Sequence, residues 1–531
     1  MKKVFLLFTG LLFWYGNAQQ LGIKMQESKV FKQAAARVQN DYILPTGDGG
    51  FITIATKRSG FLANPLVFES YATLYNNNLE QVISKTFRLN KGIVKGAIKG
   101  AFVKNGELFM VEMDVNNRKK HITFKRIKAN ITDKSMDEKV FFKIDNIYSK
   151  NDVNLYVNPG SLFDEKMKYY SDVNFYNPKI FIKFSENNKF FTIVYRDFQE
   201  EKTRYFVNTF NDKFEKLYTK TIVKNTHSKT FYINDLVVDD NNGQVYIVAK
   251  VYKNNPHIRI RNSSSSNISH FMLYNVGENG SKKLKISPKV TIEDFTLLLD
   301  KKQLSVLGFY RNKYLSFNDI DGIARININP VIFSVSSQSY NNFSKKLVSV
   351  KFRSSKRRSK NHKMIIRKKF LLENGDVIIN SEDFFIPNVL KKNKRELTLR
   401  EYVGDMFAIK ISQSGNILWS KKIYKLQMVK PRLALHSFFS TVVEGQNYLL
   451  FTDSKIKKQE KDVSFYLRDK DLQNLNGVRI YAHGGVQKGV VKEHTRTKFR
   501  MMPIEGIMIS KNEAIIPAKD HHLIRFYKLT F

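Results

Sequence analysis

The chain has 531 residues, 42% hydrophobic and 13% aromatic, with no cysteine and 89 Lys+Arg against 48 Asp+Glu, a formal net charge of +41. A chain of this length and aromatic content can bury a large core and lacks the profile of a disordered polyelectrolyte. The missing cysteine excludes a disulfide scaffold, a thiolate zinc site, a cysteine nucleophile and a cysteine-linked lipid anchor.

At the N-terminus, Lys2 and Lys3 precede a mostly apolar stretch from Val4 to Tyr15, and Gly16-Asn17-Ala18 ends on a small residue. That order reads as a secretory signal peptide cleaved after Ala18, with an apolar run too short to cross a bilayer. The expected organisation is a signal peptide over 1–18 and one folded unit over 19–531, exported to the periplasm, the cell surface or the medium. No later window approaches the apolar length of a transmembrane helix, so none is expected. Cleavage removes two lysines and leaves 87 − 48 = +39. Lysines are spread over every segment, so the charge reads either as a polyanion-binding property or as the ordinary surface of a chain rich in Lys, Asn, Ile, Phe and Tyr.

Beyond the leader, most apolar stretches are short, β-branched or aromatic, and bounded by Asn, Asp, Gly or Lys, which is the pattern of strands and turns. One unit recurs, a polar turn followed by a hydrophobic strand. It runs through Gly49–Ile54, Asn105–Val111, Asn187–Val194, Asn242–Val248, Lys301–Leu307, Asn374–Ile379, Gly445–Phe451 and Lys511–Ile516. The spacing ranges from 55 residues (Asn187 to Asn242) to 82 (Asn105 to Asn187). A second strand, a turn and a third strand follow most units, as in Met406–Ile411, the turn Ser412–Asn416, and Ile417-Leu418-Trp419. Eight such units predict an all-β fold, a single β-propeller of about seven or eight blades with long polar loop insertions. Leu523–Phe531 is expected to complete a blade with an N-terminal strand, because closure removes sheet edges. The rivals are a chain of β-sandwiches, which lacks the required linkers, and an outer-membrane barrel, suggested by the terminal alternation Leu523, Arg525, Tyr527, Leu529, Phe531.

The stretch Gly404–Ile411, followed by Ser414-Gly415-Asn416-Ile417-Leu418-Trp419, resembles the repeat of uncharacterised secreted bacterial β-propeller-repeat proteins. That pattern has an apolar strand, a lysine, a D/S-x-G-N turn and a tryptophan. The resemblance covers the C-terminal 170 residues or so, and elsewhere only the period is shared. It implies a propeller and export, and no catalytic residues.

Candidate sites are sparse. Lys351–Lys369 holds ten Lys/Arg and no acid. Within it Lys356, Arg357, Arg358, Lys360 and Lys363 are the candidate binding residues, since Lys and Arg pair with phosphate or sulfate and release counterions. Lys391-Lys392-Asn393-Lys394-Arg395 is a second basic run, and Arg261–Asn267 a polar loop. Trp419 is expected to pack in the core or between blades. His521-His522 would point to opposite faces of a strand, and His483 and His494 lack metal-type spacing. Asp239–Gly243 and Asn318–Gly322 resemble calcium-loop fragments without a full ligand set. No H-E-x-x-H, G-x-S-x-G, phosphate-binding loop or dinucleotide fingerprint occurs. No cofactor, catalytic residue or metal ligand is assigned. The expected function is an exported, non-enzymatic binding or scaffold protein. Its expected partners are an anionic glycan, lipopolysaccharide or another polyanion, without sequence-specific nucleic-acid binding, and a monomer is expected. The alternative is an exported glycan-active hydrolase with carboxylates gathered in the propeller channel.

Overall fold

The computed structural model describes residues 21–32, 38–59, 66–88, 97–116, 121–130, 135–145, 180–196, 204–223, 231–252, 268–292, 294–300, 303–311, 320–344, 363–385, 401–425, 427–429, 437–454, 473–493, 499–520 and 523–531. Their strands form eight separate antiparallel sheets, and no α-helix occurs among the described residues. In chain order the sheets span 38–88, 97–144, 180–223, 231–286, 291–342, 363–429 and 438–492; the eighth combines 500–530 with 24–32. These are blades 1 to 8 of a β-propeller. First strands of successive blades pack on one another around the axis, and each blade then meanders outward. Eight discrete sheets replace the single closed sheet that an outer-membrane barrel requires, so that alternative is overturned.

The eight recurring sequence units are the second strands of the eight blades with the turns that lead into them. These strands are Phe51–Ser59, Glu107–Asn116, Phe190–Arg196, Val245–Tyr252, Leu304–Arg311, Val377–Phe385, Gln446–Ser454 and Glu513–Asp520. Their central residues are mostly buried because both faces are covered by neighbouring blades. Val245–Val251 is buried at every residue, whereas most of the fourth strand of the same blade, Gly280–Ile286, stays partly or fully exposed. The turn before Glu107 is Asn105-Gly106, with φ of 51° and 75°. Both residues lie in the left-handed region that a two-residue hairpin needs, and Asn-Gly tolerates it best.

Core side chains cluster between blades. Phe102, Phe109 and Phe124 of blade 2 pack with Phe191, Phe210 and Phe214 of blade 3. Between blades 8 and 1, Phe51 stacks on Tyr75 at 4.8 Å, and Phe526 meets both edge-on at 4.9 and 4.8 Å. Offset and edge-on rings add to the area buried.

The ring closes in blade 8. Its last strand, Leu523–Thr530, pairs with Lys24–Glu27 (Lys24 opposite Thr530) and with Phe31–Lys32. Between these two segments Ser28 donates its N–H to the Phe526 carbonyl at 2.9 Å, and its Oγ accepts the Phe526 N–H at 3.0 Å. The expected partnership of the C-terminal strand with an N-terminal one is therefore present.

The two ends of the blades differ. First-to-second and third-to-fourth connections are tight turns, such as 105–106, 372–376 and 412–416. Antiparallel geometry puts second-to-third and blade-to-blade connections at the opposite end. That end carries the long ones: 145–179, 253–267, 343–362, 386–400 and 455–472.

Candidate functional site

Lys356, Arg357, Arg358 and Lys360 lie outside the described residues, as do Lys391–Arg395, His494 and His521-His522. Lys363 opens the first strand of blade 6, Lys363–Leu371, and sits directly opposite Phe384 of the second strand. Phe385 in turn faces Tyr402 of the third strand, Glu401–Ile411. The connection containing the first basic run thus enters blade 6 beside the point where the connection containing the second one leaves it.

Beneath these roots lies a buried charge cluster that the sequence did not single out. Arg367 occupies a bulge in the first strand, between Ile366 and Lys368, which aims it sideways. Its guanidinium pairs with Oε1 of Glu382 on the second strand. Oε2 of Glu382 accepts from Lys425 Nζ at 2.8 Å, and neither of those side chains is exposed at all. Lys425 follows the fourth strand, Ile417–Ile423, on the way to blade 7. Its Nζ also reaches Oε1 of Gln427 at 3.3 Å. Gln427 accepts the Ser437 N–H at 2.8 Å and donates to the Thr452 carbonyl at 2.8 Å, which carries the network into blade 7. Burial alone would raise the Glu382 carboxyl, but Arg367 and Lys425 outweigh it and hold it below its ordinary value. Burial lowers the Lys425 ammonium against the opposing pull of Glu382. Nearby, Asp405 accepts the Lys425 N–H at 3.1 Å and pairs with Lys422 at 3.2 Å. The arrangement pins three connections at one end of blade 6, with both cations directed inward at Glu382.

Blade 4 carries the same device with reversed signs. Lys250, which takes the place of Glu382 in its second strand, is buried and paired with Asp294, on the way into blade 5. The bulged Asn234 accepts the N–H of Phe295 at 3.1 Å. Closer to the axis, Asp235 of blade 4 accepts from Thr296 Oγ1 at 2.7 Å and Leu297 N at 3.0 Å, both of blade 5. Lys369 of blade 6 then reaches Asp235 at 3.5 Å and Thr296 Oγ1 at 2.7 Å. One lysine therefore ties the inner strands of three blades.

Glu112, in the second strand of blade 2, is buried with Lys125 at 3.8 Å from one carboxylate oxygen. The other oxygen has no hydrogen-bond partner among the described residues. Burial, only partly countered by Lys125, pushes this carboxyl from 4.5 up to about 7.

Arg261–Asn267 and Asn318-Asp319 also lie outside the described residues, and Trp419, Asp239, Asp240 and His483 have structural roles. Trp419 is 8% exposed and donates Nε1–H to the Ala482 carbonyl of blade 7 at 3.0 Å, so it packs between blades. Asp239 caps its own turn by accepting the Asn241 N–H at 2.8 Å, and Asp240 accepts the Asn187 N–H of blade 3 at 3.0 Å. His483 stacks on Tyr481 at 5.6 Å. Among the described residues no group of three metal-ligating side chains occurs. A crevice between blades 5 and 6 is lined by Asp300, Ser305, Arg325 and Gly375. Arg325 itself fills it, donating to Ser412 O at 2.8 Å and Asn327 Oδ1 at 3.0 Å.

No family model matches the chain, and no curated protein sequence does. Solved structures similar to it include the WD40 domain of SCAP from fission yeast, with 6% identity and a TM-score of 0.37, covering 96% of this chain and 98% of that one. The β-propeller domain of the trilobed protease from Pyrococcus furiosus matches with 12% identity and a TM-score of 0.33, over 86% and 98%. The polysaccharide lyase Uly1 matches with 7% identity and a TM-score of 0.36, over 95% and 99%.

Two outcomes follow for stability. Lys425→Met leaves Glu382 facing Arg367 alone and costs about 3–5 kcal/mol, read as a lower denaturant midpoint; replacing Arg367, Glu382 and Lys425 together by apolar residues of similar volume costs less. For Glu112 the folded state binds the proton more tightly than the unfolded chain. Its contribution is full below pH 4.5 and is lost as pH rises to about 7. Glu112→Gln therefore gains roughly 3 kcal/mol on the parent at pH 8 and nothing below pH 4.5, measured by chemical denaturation across that range.

Proposed function

We propose that the chain is an exported, non-enzymatic binding protein whose ligand is a polyanion such as an anionic glycan or lipopolysaccharide. Its contacts come from Lys356, Arg357, Arg358, Lys360 and Lys363. The observation that carries the reading is the register of blade 6. Lys363 lies opposite Phe384, so the connections that contain the two basic runs join blade 6 at adjacent points, at the end of the blades that bears the long connections. The buried Arg367–Glu382–Lys425 cluster supports it, because it fixes those points with its cations directed inward at Glu382. Lysines and arginines on long connections meet phosphate or sulfate groups with gain from counterion release and little reading of sequence. A rigid ring that supports variable connections is also how loops carry function on many scaffolds.

Binding to immobilised heparin, as a sulfated-glycan probe, tests this. The parent is expected to bind at low salt and to release steeply as salt rises, while replacement of the five residues by Ser or Gln weakens binding and flattens the salt slope. Stability is expected to change little, since exposed charges rarely matter to it. Equal binding by variant and parent would show that the charge is dispersed surface. Export has its own check: protein purified from the native cell envelope should have the intact mass of a chain that begins at Gln19, and a retained Met1–Ala18 would overturn it.

A further inference from the structure

The outermost strand of each blade is the rim strand, and among the described residues no other strand pairs with its outer edge. Natural sheets guard such edges with lysine, because an unguarded edge is a template for another strand. The rim strands here follow that rule with one exception. Lys85 lies in blade 1, Lys139 and Lys143 in blade 2, Lys216 and Lys220 in blade 3, and Lys282, Lys283 and Lys285 in blade 4. Lys421 and Lys422 lie in blade 6, Lys488 and Lys492 in blade 7, and Lys24 and Lys32 in blade 8. The rim strand of blade 5, Ser334–Asn342, reads SVSSQSYNN and holds no charged residue.

Its surroundings point the same way. It is the last strand of its sheet, paired inward with Gly322–Asn329. One face is occupied, as Asn341 donates to the Gly415 carbonyl of blade 6 at 2.7 Å. The other face presents Gln338, which accepts from the Tyr340 hydroxyl at 3.0 Å, while the Tyr340 ring packs edge-on against Tyr310 at 6.0 Å. The turn that leads into the strand ends in Val331 and Ile332, 75% and 68% exposed, the two most exposed large apolar side chains among the described residues.

From this we infer that the rim of blade 5 is a self-association edge, and that two copies of the chain join through it as a twofold dimer with antiparallel Ser334–Asn342 strands. The occupant is a second copy for an electrostatic reason. An isologous antiparallel pair sets a strand against itself, so a lysine-bearing rim puts like charges side by side in some registers; the rims of blades 2 and 8 also carry acids, Asp137, Glu138 and Glu27. Among the described rim strands, that of blade 5 alone holds no charge and so pairs with its own copy in any register without setting like charges together. About Gln338, Ser337 meets Ser339 and Ser336 meets Tyr340 of the second strand, and the exposed Val331 and Ile332 turn lies alongside the end of its partner. The inference does not depend on the polyanion reading.

Long-range repulsion between two strongly basic molecules is screened by salt, so association should tighten as ionic strength rises. Polyanion binding has the opposite dependence. Sedimentation velocity of the mature full-length protein, from low to high salt, should show a monomer converting to a dimer. Gln338→Lys places two lysines about 5 Å apart across the twofold and should weaken the dimer at least tenfold. Ser336→Lys should act likewise. Thr221→Lys, an exposed addition to the lysine-bearing rim of blade 3, should leave it unchanged, with circular dichroism confirming that all three fold. A protein that stays monomeric at every salt and concentration would overturn the inference. So would a dimer indifferent to both blade 5 changes, or one weakened equally by Thr221→Lys.

Discussion

Each second strand is buried along most of its length and has to be covered from both sides. Val245–Val251, buried throughout, has no solvent face to offer, so a blade standing alone would expose half of its own core. The architecture follows from that. Every blade needs two neighbours, a row of blades would leave two bare faces, and a closed ring leaves none. Closure rests on the pairing of Lys24–Glu27 and Phe31–Lys32 with the last strand. The aromatic group of Phe51, Tyr75 and Phe526 then seals the first blade to the eighth.

Within that ring, polar groups are used where apolar packing cannot specify direction. A bulge in the first strand turns a polar side chain out of the pleat, Arg367 in blade 6 and Asn234 in blade 4. Its partner is a charged second-strand residue in one case and the backbone of the next blade in the other. Charges this deep are expensive to bury and tolerable only with complete partnership. Glu382 and Lys425 have that partnership. Glu112 does not, and its carboxyl rises accordingly.

What could be read in advance divides along the same line. The turn-plus-strand unit was visible because hairpin turns use Asn and Gly, and doubly covered strands are continuous runs such as Val245-Tyr246-Ile247-Val248; all eight units became second strands. Trp419 was legible as an inter-blade residue for the same reason of bulk. The cluster around Glu382 was not. Arg367 looked like one more member of a basic run, and Lys425 is 43 residues from Glu382 along the chain. The available hint was polar residues, Asn380 to Asp383, interrupting an otherwise apolar strand. Pairing across a bulge and a blade boundary has no sequence period, so spacing alone could not connect them.

The reversed polarity of two inter-blade ties makes the blades non-interchangeable. In blade 4 the second strand supplies the cation, Lys250, and the path to the next blade supplies the anion, Asp294. In blade 6 the second strand supplies the anion, Glu382, and the outgoing path the cation, Lys425. If blade 4 were spliced onto the exit of blade 6, Lys250 would meet Lys425; the reciprocal splice would bring Glu382 against Asp294. The first error buries two like charges, and the second sets a buried carboxylate against the part-exposed Asp294; the first costs far more than a poor apolar fit. The exits of blades 4 and 6, modules of similar outline that could otherwise trade places during folding or through recombination of the gene, thus carry opposite signs that tell one junction from the other.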